Sequence, residues 1–300
     1  MLDRAVPGFI HPMLLSRGDT PPTGSDWLAQ IKIDGARGQL RVVDGVPSLR
    51  TRHGRRCDGE FPEIISAAAE LPSMIVDGEI AVLADDGAPD FTALRRRLGR
   101  SPAGSRVAAA ARPAMFFAFD VLWVNGTDVR DRPLVVRLEV LESLNLGGTV
   151  VAVDTFPGKA SEVLEFAREH DLEGCAVKKA NSRYRSGRSS TWLKFKVRRP
   201  DRYWVTAWMP GGPGELDRYW VGRVIDGSLR PTGEVAFGLK PGQATALRRV
   251  LHTASLESRG RNGLIPVVPV VAMTVESHGR TGGWLRDPII TDIAIEPLTW

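Results

Sequence analysis

The sequence predicts an α+β protein built on antiparallel sheets, followed by a smaller β-rich part with the pattern of a Greek-key barrel. Strand-like and helix-like segments alternate through the first two thirds without a regular strand–helix repeat. A hairpin signal, Asp44-Gly45, separates two alternating apolar segments. After about Arg199, strand patterns dominate.

In chain order, Leu40-Arg41-Val42-Val43 and Leu49-Arg50-Thr51 are the arms of that hairpin. Residues 61–71 place Ile64, Ile65, Ala68 and Leu71 at helical spacing, whereas Met74-Ile75-Val76 is a short apolar run suited to a buried strand. Pro133 opens a helix that carries Leu134, Leu138, Leu141 and Leu144; proline suits a first turn, whose N–H groups have no helical acceptor. Ser161-Glu162-Val163-Leu164 opens another helix, ending before Asp171. Residues 203–208, 219–225 and 267–275 read as strands, 243–251 as a helix, and Pro210-Gly211-Gly212-Pro213-Gly214 as a loop. A linker near 197–201 divides the chain into domains 1–198 and 199–300.

The chain has 300 residues, enough for two separate cores. Apolar content of 43% and charged content of 25% exclude disordered and fibrous classes. The N-terminus carries neither a signal pattern nor an apolar span, so a cytoplasmic protein without membrane contact is expected. Cys57 and Cys175 form no C-x-x-C pair and read as reduced, structural thiols. The five histidines lack metal-ligand spacing. Gly158-Lys159 is no phosphate loop, since residue 153 is valine and residue 160 alanine, and no G-x-G-x-x-G occurs.

Net charge is +5, consistent with a polyanionic partner. Its distribution is sharper: residues 178–200 hold nine basic side chains (Lys178, Lys179, Arg183, Arg185, Arg188, Lys194, Lys196, Arg198, Arg199) and no acidic one. A basic run is often only a solvated face. The chemistry-bearing string lies elsewhere, at Lys32-Ile33-Asp34-Gly35-Ala36-Arg37. A lysine amine must shed its proton before it attacks phosphorus, so the charge around it decides its reactivity.

Further motifs follow in order: Asp77-Gly78-Glu79-Ile80, Phe117-Ala118-Phe119-Asp120-Val121-Leu122, Glu173-Gly174-Cys175-Ala176-Val177-Lys178 and Trp192-Leu193-Lys194-Phe195-Lys196. With the first string, they resemble the K-x-D-G-x-R, D-G-E, F-D-x-L, E-G-x-x-x-K and W-L-K-x-K motifs of the covalent nucleotidyltransferases. With Thr51-Arg52-His53-Gly54 and Asp90-Phe91-Thr92-Ala93-Leu94, the variant is most similar to ATP-dependent DNA ligases of the small bacterial type.

The resemblance implies a nucleotidyltransferase (ATP-grasp-like ligase) domain followed by an OB-fold barrel. It implies that Lys32 takes AMP from ATP and passes it to a 5′-phosphate at a break in duplex DNA, with Mg2+ or Mn2+ as the ion. By the same resemblance Asp34 orients the nucleophile loop or helps position metal, and Lys178, Lys194 and Lys196 meet phosphates. Phe119 stacks on the base, Gln30 and Ile31 contact the nucleotide, and Arg37 and Arg52 contact its ribose or the phosphate at the strand end. Glu79 and Glu173 hold metal or ribose, and Gly35 allows close backbone approach. Arg183, Arg185, Arg188, Arg198 and Arg199 become DNA contacts, and the expected setting is a nucleoid-associated monomer working beside an end-binding or repair protein.

An RNA ligase or a capping-type guanylyltransferase would use Lys32, Glu79, Glu173 and Lys194 equally. A degenerate nick-binding module would keep the basic groove with weak self-adenylation. Two departures stand out. Gln30 replaces the glutamate often found two residues before the nucleophile. The terminal R-x-D-K motif has Ala294 and Pro297 where its arginine and lysine belong, so self-adenylation is expected to be slow or to use Arg280 or Arg286.

Overall fold

The computed structural model describes residues 6–256, 263–278, 280, 281 and 284–298. The chain forms two compact units, Met1–Val197 and Arg198–Trp300.

The first unit contains two sheets. One has the order β1 (Met13–Arg17), β11 (Gly187–Lys196), β10 (Gly174–Lys179), β2 (Trp27–Ile31), β9 (Phe156–Pro157). All its pairs are antiparallel except β1 with β11. The other runs β4 (Val46–Thr51), β3 (Ala36–Val43), β5 (Met74–Val82), β6 (Ala114–Val124), β7 (Thr127–Asp128), with β8 (Val150–Ala152) parallel to β6. Asp44 and Gly45, both at positive φ, make the expected tight turn between β3 and β4.

Among the described residues this unit has five α-helices: α1 (Pro62–Ala68), α2 (Phe91–Arg97), α3 (Pro102–Ala111), α4 (Leu134–Ser143) and α5 (Ala160–Glu169). Proline opens α1 and α3, and the Asp90 carboxylate caps α2 by accepting from Ala93 N at 2.8 Å. Leu40, Ile64, Val76, Leu94, Phe116 and Leu141 share one core. Ile10, Met13, Leu28, Ile75, Leu122, Leu134, Tyr184 and Trp192 fill another, and Ala29, Val163, Cys175, Val177 and Phe195 pack beside α5. Both cysteines are buried free thiols, which burial pushes up to about 12.

In the second unit, β14 (Ser228–Val235), β13 (Arg218–Ile225), β12 (Arg199–Met209), β16 (Val271–Ser277) and β19 (Ile289–Ile295) form an antiparallel sheet in that order. β15 (Ile265–Pro266) pairs with β12, and β17 (Arg280–Thr281) with β18 (Trp284–Leu285). Helix α6 (Pro241–Thr253) buries Leu247 and Leu251 against Tyr203, Val221, Val235 and Met273. Among the described residues no pairing joins β14 to β19.

Two expectations need adjusting. The strand expected over 267–275 starts at Val271, because Pro269 supplies no N–H to a ladder. The linker expected over 197–201 is shorter: β11 ends at Lys196 and β12 begins at Arg199. Among the described residues, no helix is long and apolar enough to cross a membrane.

Candidate active site

The register of three strands builds one polar face. Gln30 on β2, Ala176 on β10 and Lys194 on β11 form one row across the sheet, and Leu28, Lys178 and Trp192 form the next. Beyond the end of β2, the Lys32 N–H donates to Gly174 O at 2.9 Å, and Gly174 stands opposite Lys196. Side chains two apart share a face of a strand. Trp192, Lys194 and Lys196 therefore share one face, while Leu193 and Phe195 pack with the α5 core.

Lys32 Nζ donates to Glu173 Oε2 at 2.5 Å, and Lys196 Nζ lies 3.1 Å from Glu173 Oε1. Burial opposes the Glu173 charge, but Lys32 and Lys196 outweigh it and hold the carboxyl below its usual range. Burial lowers Lys194 from the ordinary lysine value, with Lys196 and Lys32 adding to the effect. Two glycines permit this crowding. A Cβ on Gly35 would lie 2.2 Å from Ile80 O and 2.8 Å from Glu79 Cγ. At Gly174, φ is +141° and a Cβ would lie 2.0 Å from Phe195 O.

The second sheet adds Arg37 and Glu79, cross-strand partners on β3 and β5. Arg37 binds Asp77 through Nε and Nη2 at 2.8 and 2.6 Å, and its guanidinium lies 4.6 Å from the Phe119 ring centre. Burial works against the Arg37 charge, yet the adjacent Asp77 raises its pKa above the ordinary arginine value. Lys178 Nζ donates to Phe119 O at 3.2 Å and stands 4.3 Å from the Phe119 and 4.2 Å from the Trp192 ring centres. Burial lowers Lys178 to about 7.

A cavity of about 530 Å³ opens among Gln30, Ile31, Lys32, Arg37, Arg52, Glu79, Phe119, Lys178, Arg188, Trp192 and Lys194. A second, of about 580 Å³, shares Ile31, Ile33 and Val153 with it and has apolar walls at Phe117, Val151, Phe156, Val163 and Phe166. Gln30 Nε2 donates to Thr155 Oγ1 at 2.9 Å, which leaves its buried Oε1 without a partner. Such a site offers an amine nucleophile, cations for phosphate oxygens and one unmet acceptor.

The sequence matches the family described as ATP dependent DNA ligase domain over residues 12–196. The chain belongs to this ligase family. The multifunctional non-homologous end joining protein LigD of Mycolicibacterium smegmatis is 28% identical over 279 residues, covering 90% of this chain and 35% of that protein. The SPbeta prophage-derived DNA ligase-like protein LigB of Bacillus subtilis is 33% identical over 189 residues, covering 62% of this chain and 67% of its own length. The chain thus spans about a third of the LigD protein, as the 35% coverage shows. Among solved structures, mycobacterial DNA ligase D complexed with ATP and MES superposes with a TM-score of 0.58 at 24% identity, over 98% of this chain and 96% of that one. That likeness shows a shared ligase fold of antiparallel sheets and helices.

Within this family member, most residues expected from sequence meet at the first cavity. Lys196 instead grips Glu173 from beside it. Asp34 lies in the same loop as Lys32 but not on the cavity wall. Both Glu173 oxygens face lysines, so Glu79 is the carboxylate presented to the cavity. Arg188 reaches the cavity and donates to Leu15 O at 3.0 Å, Arg185 pairs with Asp131 at 2.7 Å, and Arg183 is exposed. Arg198 and Arg199 belong to the second unit, where Arg198 donates to Asp287 O at 2.9 Å.

Sequence reading missed Thr155, Phe117 and Tyr184. None sits at a position that periodicity marks as functional; only Phe117 fell inside a motif. It also missed the ion pair of Asp120 with Arg137, whose spacing of 17 residues follows no helical or strand period.

Burial pushes Glu79 up to about 7, against the opposite pull of Lys32 and Arg37. An unfolded glutamate titrates near about 4.3, so between these values the native state holds more protons. Stability contributed by this group is therefore present at low pH and lost as pH rises through about 7. Metal-free parent and Glu79→Gln proteins are expected to have similar melting temperatures near pH 4.5 relative to their separation at pH 8, where the variant melts higher. Thermal scans across that range check this; a gap that stays constant with pH contradicts it.

Proposed function

We propose that the chain is an ATP-dependent DNA ligase that seals breaks in duplex DNA during repair, through a lysyl-adenylate on Lys32 and a 5′-adenylated DNA intermediate. The observation that carries this reading is the Lys32 amine at a cation-lined cavity, 2.5 Å from Glu173, in a member of the ligase family. Lys32 Nζ would form a bond to the α-phosphorus of ATP as the bond to the bridging oxygen breaks and pyrophosphate leaves, its proton passing by way of the Glu173 hydrogen bond to solvent. Lys194, Lys178 and Arg37 would meet the charge that develops on phosphate oxygens. AMP would then pass to a DNA 5′-phosphate, and attack by the neighbouring 3′-hydroxyl would release it.

The orphaned acceptor on Gln30 favours ATP over GTP, because adenine presents an amino donor where guanine presents a carbonyl oxygen. The flat apolar wall at Phe117 suits a base as well as Phe119 does, since two cations are already drawn to the Phe119 ring.

Among the described residues no cluster of three His, Cys, Asp or Glu side chains forms a cage for a metal. Glu79 on the cavity wall and Glu173 beside Lys32 fit magnesium or manganese held by one or two carboxylates and completed by phosphate oxygens. Glu79 would hold the ion, joined by Glu173 once Lys32 no longer pairs with it; when bound, it would supply charge neutralisation at the phosphates. The first unit serves in this reading as the adenylation domain and the second as an OB-fold. In β19, Ala294 pairs with Ala272 and brings no cation, while the Arg280 side chain lies outside the described residues. Self-adenylation is then slow or draws on Arg286 instead. Nicked or broken duplex DNA is the substrate and an end-binding protein the partner, in keeping with the end-joining role named for LigD.

Intact-mass measurement after incubation with ATP and magnesium tests the reading. The expected result is one added AMP, mapped to the Lys32 peptide, followed by sealing of nicked DNA in preference to nicked RNA. Protein stripped of nucleotide that gains no mass with any ribonucleoside triphosphate overturns it.

A further inference from the structure

Four groups from distant parts of the first unit close a ring of hydrogen bonds behind the cavity. Met13 N donates to Tyr184 Oη at 3.0 Å, and Tyr184 Oη donates to Asp77 Oδ2 at 2.5 Å. The same Asp77 oxygen accepts Arg37 Nη2 at 2.6 Å, and Nη2 also donates to Met13 O at 2.9 Å. The ring joins β1 of one sheet to β3 and β5 of the other. Its fourth corner is the turn after β10, where Tyr184 N donates to Arg130 O at 2.9 Å. Arg37 lines the cavity; Tyr184 is buried and does not.

We propose that Tyr184 is a positioning residue: its hydroxyl fixes the Asp77 carboxylate, and through it the Arg37 guanidinium, at the cavity wall. An aspartate that holds an arginine fork through both oxygens still rotates about its side-chain bonds unless something else holds it. Tyr184 supplies that hold on one oxygen, and Met13 N orients the hydroxyl by donating to it, so the phenol's single proton points at Asp77. Without the hydroxyl, Met13 N is a buried donor with no acceptor, and the Asp77–Arg37 pair keeps only the Met13 carbonyl among the ring's anchors, on the arginine side. A misplacement of about 1 Å at a catalytic cleft costs rate heavily. The ring of Tyr184 has a separate task, packing edge-on to Trp192 with centroids 5.9 Å apart. Phenylalanine preserves that packing and deletes only the hydroxyl.

This inference rests on the proposed adenylation at Lys32, and the experiment separates the two. Single-turnover adenylation would be followed over a range of ATP concentrations for the parent, Tyr184→Phe, Arg37→Ala and the double variant. The expected result is a maximal rate about tenfold lower in Tyr184→Phe, a half-saturating ATP concentration within about twofold of the parent, and no further loss when the change is made in Arg37→Ala protein. A purely structural tyrosine predicts the reverse. If Tyr184→Phe adenylates at the parent's maximal rate, or its loss adds fully to that of Arg37→Ala, the positioning role is overturned while the ligase reading stands. A parent protein that never gains AMP overturns both.

Discussion

Lys32→Ala protein is expected to lose self-adenylation by at least about a thousandfold, because the proposed mechanism makes its amine the carrier of AMP. The same protein should still join a nick whose 5′-phosphate already bears AMP, within about tenfold of the parent rate. That final step moves AMP from DNA to solvent and needs no bond to Lys32. The pairing of outcomes separates chemistry from folding, since a collapsed variant would fail at both. Gel assays with ATP plus nicked DNA, and with pre-adenylated nicked DNA, read the two rates. Parent-like adenylation would transfer the nucleophile's role away from Lys32; equal loss on both substrates would make Lys32 a structural residue.

Arg137→Met is expected to destabilise the protein by roughly 3–5 kcal/mol, the scale for removing one partner of a buried ion pair. Arg137 and Asp120 are both 0% exposed and pair through two bonds of 2.7 and 2.8 Å. Arg137 also donates to the carbonyls of Arg132 and Ser182 at 2.6 and 2.8 Å. Methionine leaves Asp120, a buried residue of β6 whose pKa burial already raises, without its arginine, together with two unmet carbonyls. Replacing both partners, as Asp120→Leu with Arg137→Met, should recover a large part of the loss, since apolar pairs of similar volume often equal buried ion pairs. Denaturant midpoints for the three variants give the comparison; a single-variant loss below about 1 kcal/mol would mean that water reaches the pair. The Ser182 carbonyl lies two residues from Tyr184, so the single variant should also disturb the tyrosine's grip on Asp77.

Local chemistry made much of this legible in advance. The β3–β4 hairpin needed only Asp44-Gly45, α4 announced itself by apolar spacing after Pro133, and α5 by the run Ser161-Glu162-Val163-Leu164. The motif residues were legible as a set, and strand register explains their meeting: Gln30 and Lys194 lie 164 positions apart, yet both face Ala176. α3 was not read, because its alanine-rich stretch has too few large apolar residues to mark a buried face. Tyr184 was invisible for another reason. Its partners Asp77 and Met13 are 107 and 171 residues away, and a lone tyrosine in a polar turn has the pattern of any surface loop. Glu173 was found as a carboxylate but not as the shared counter-ion of two lysines, which only three-dimensional proximity reveals.

That shared counter-ion has a practical consequence at the preparative bench. If AMP attaches to Lys32 as proposed, a cationic side chain becomes an uncharged phosphoramide and an anionic phosphate arrives beside it, a change of roughly two units of positive charge. Glu173 is left with Lys196 as its remaining cation. Freshly purified protein should therefore resolve on a cation-exchange column into an earlier-eluting loaded fraction and a later-eluting empty one, and pyrophosphate should convert the first into the second.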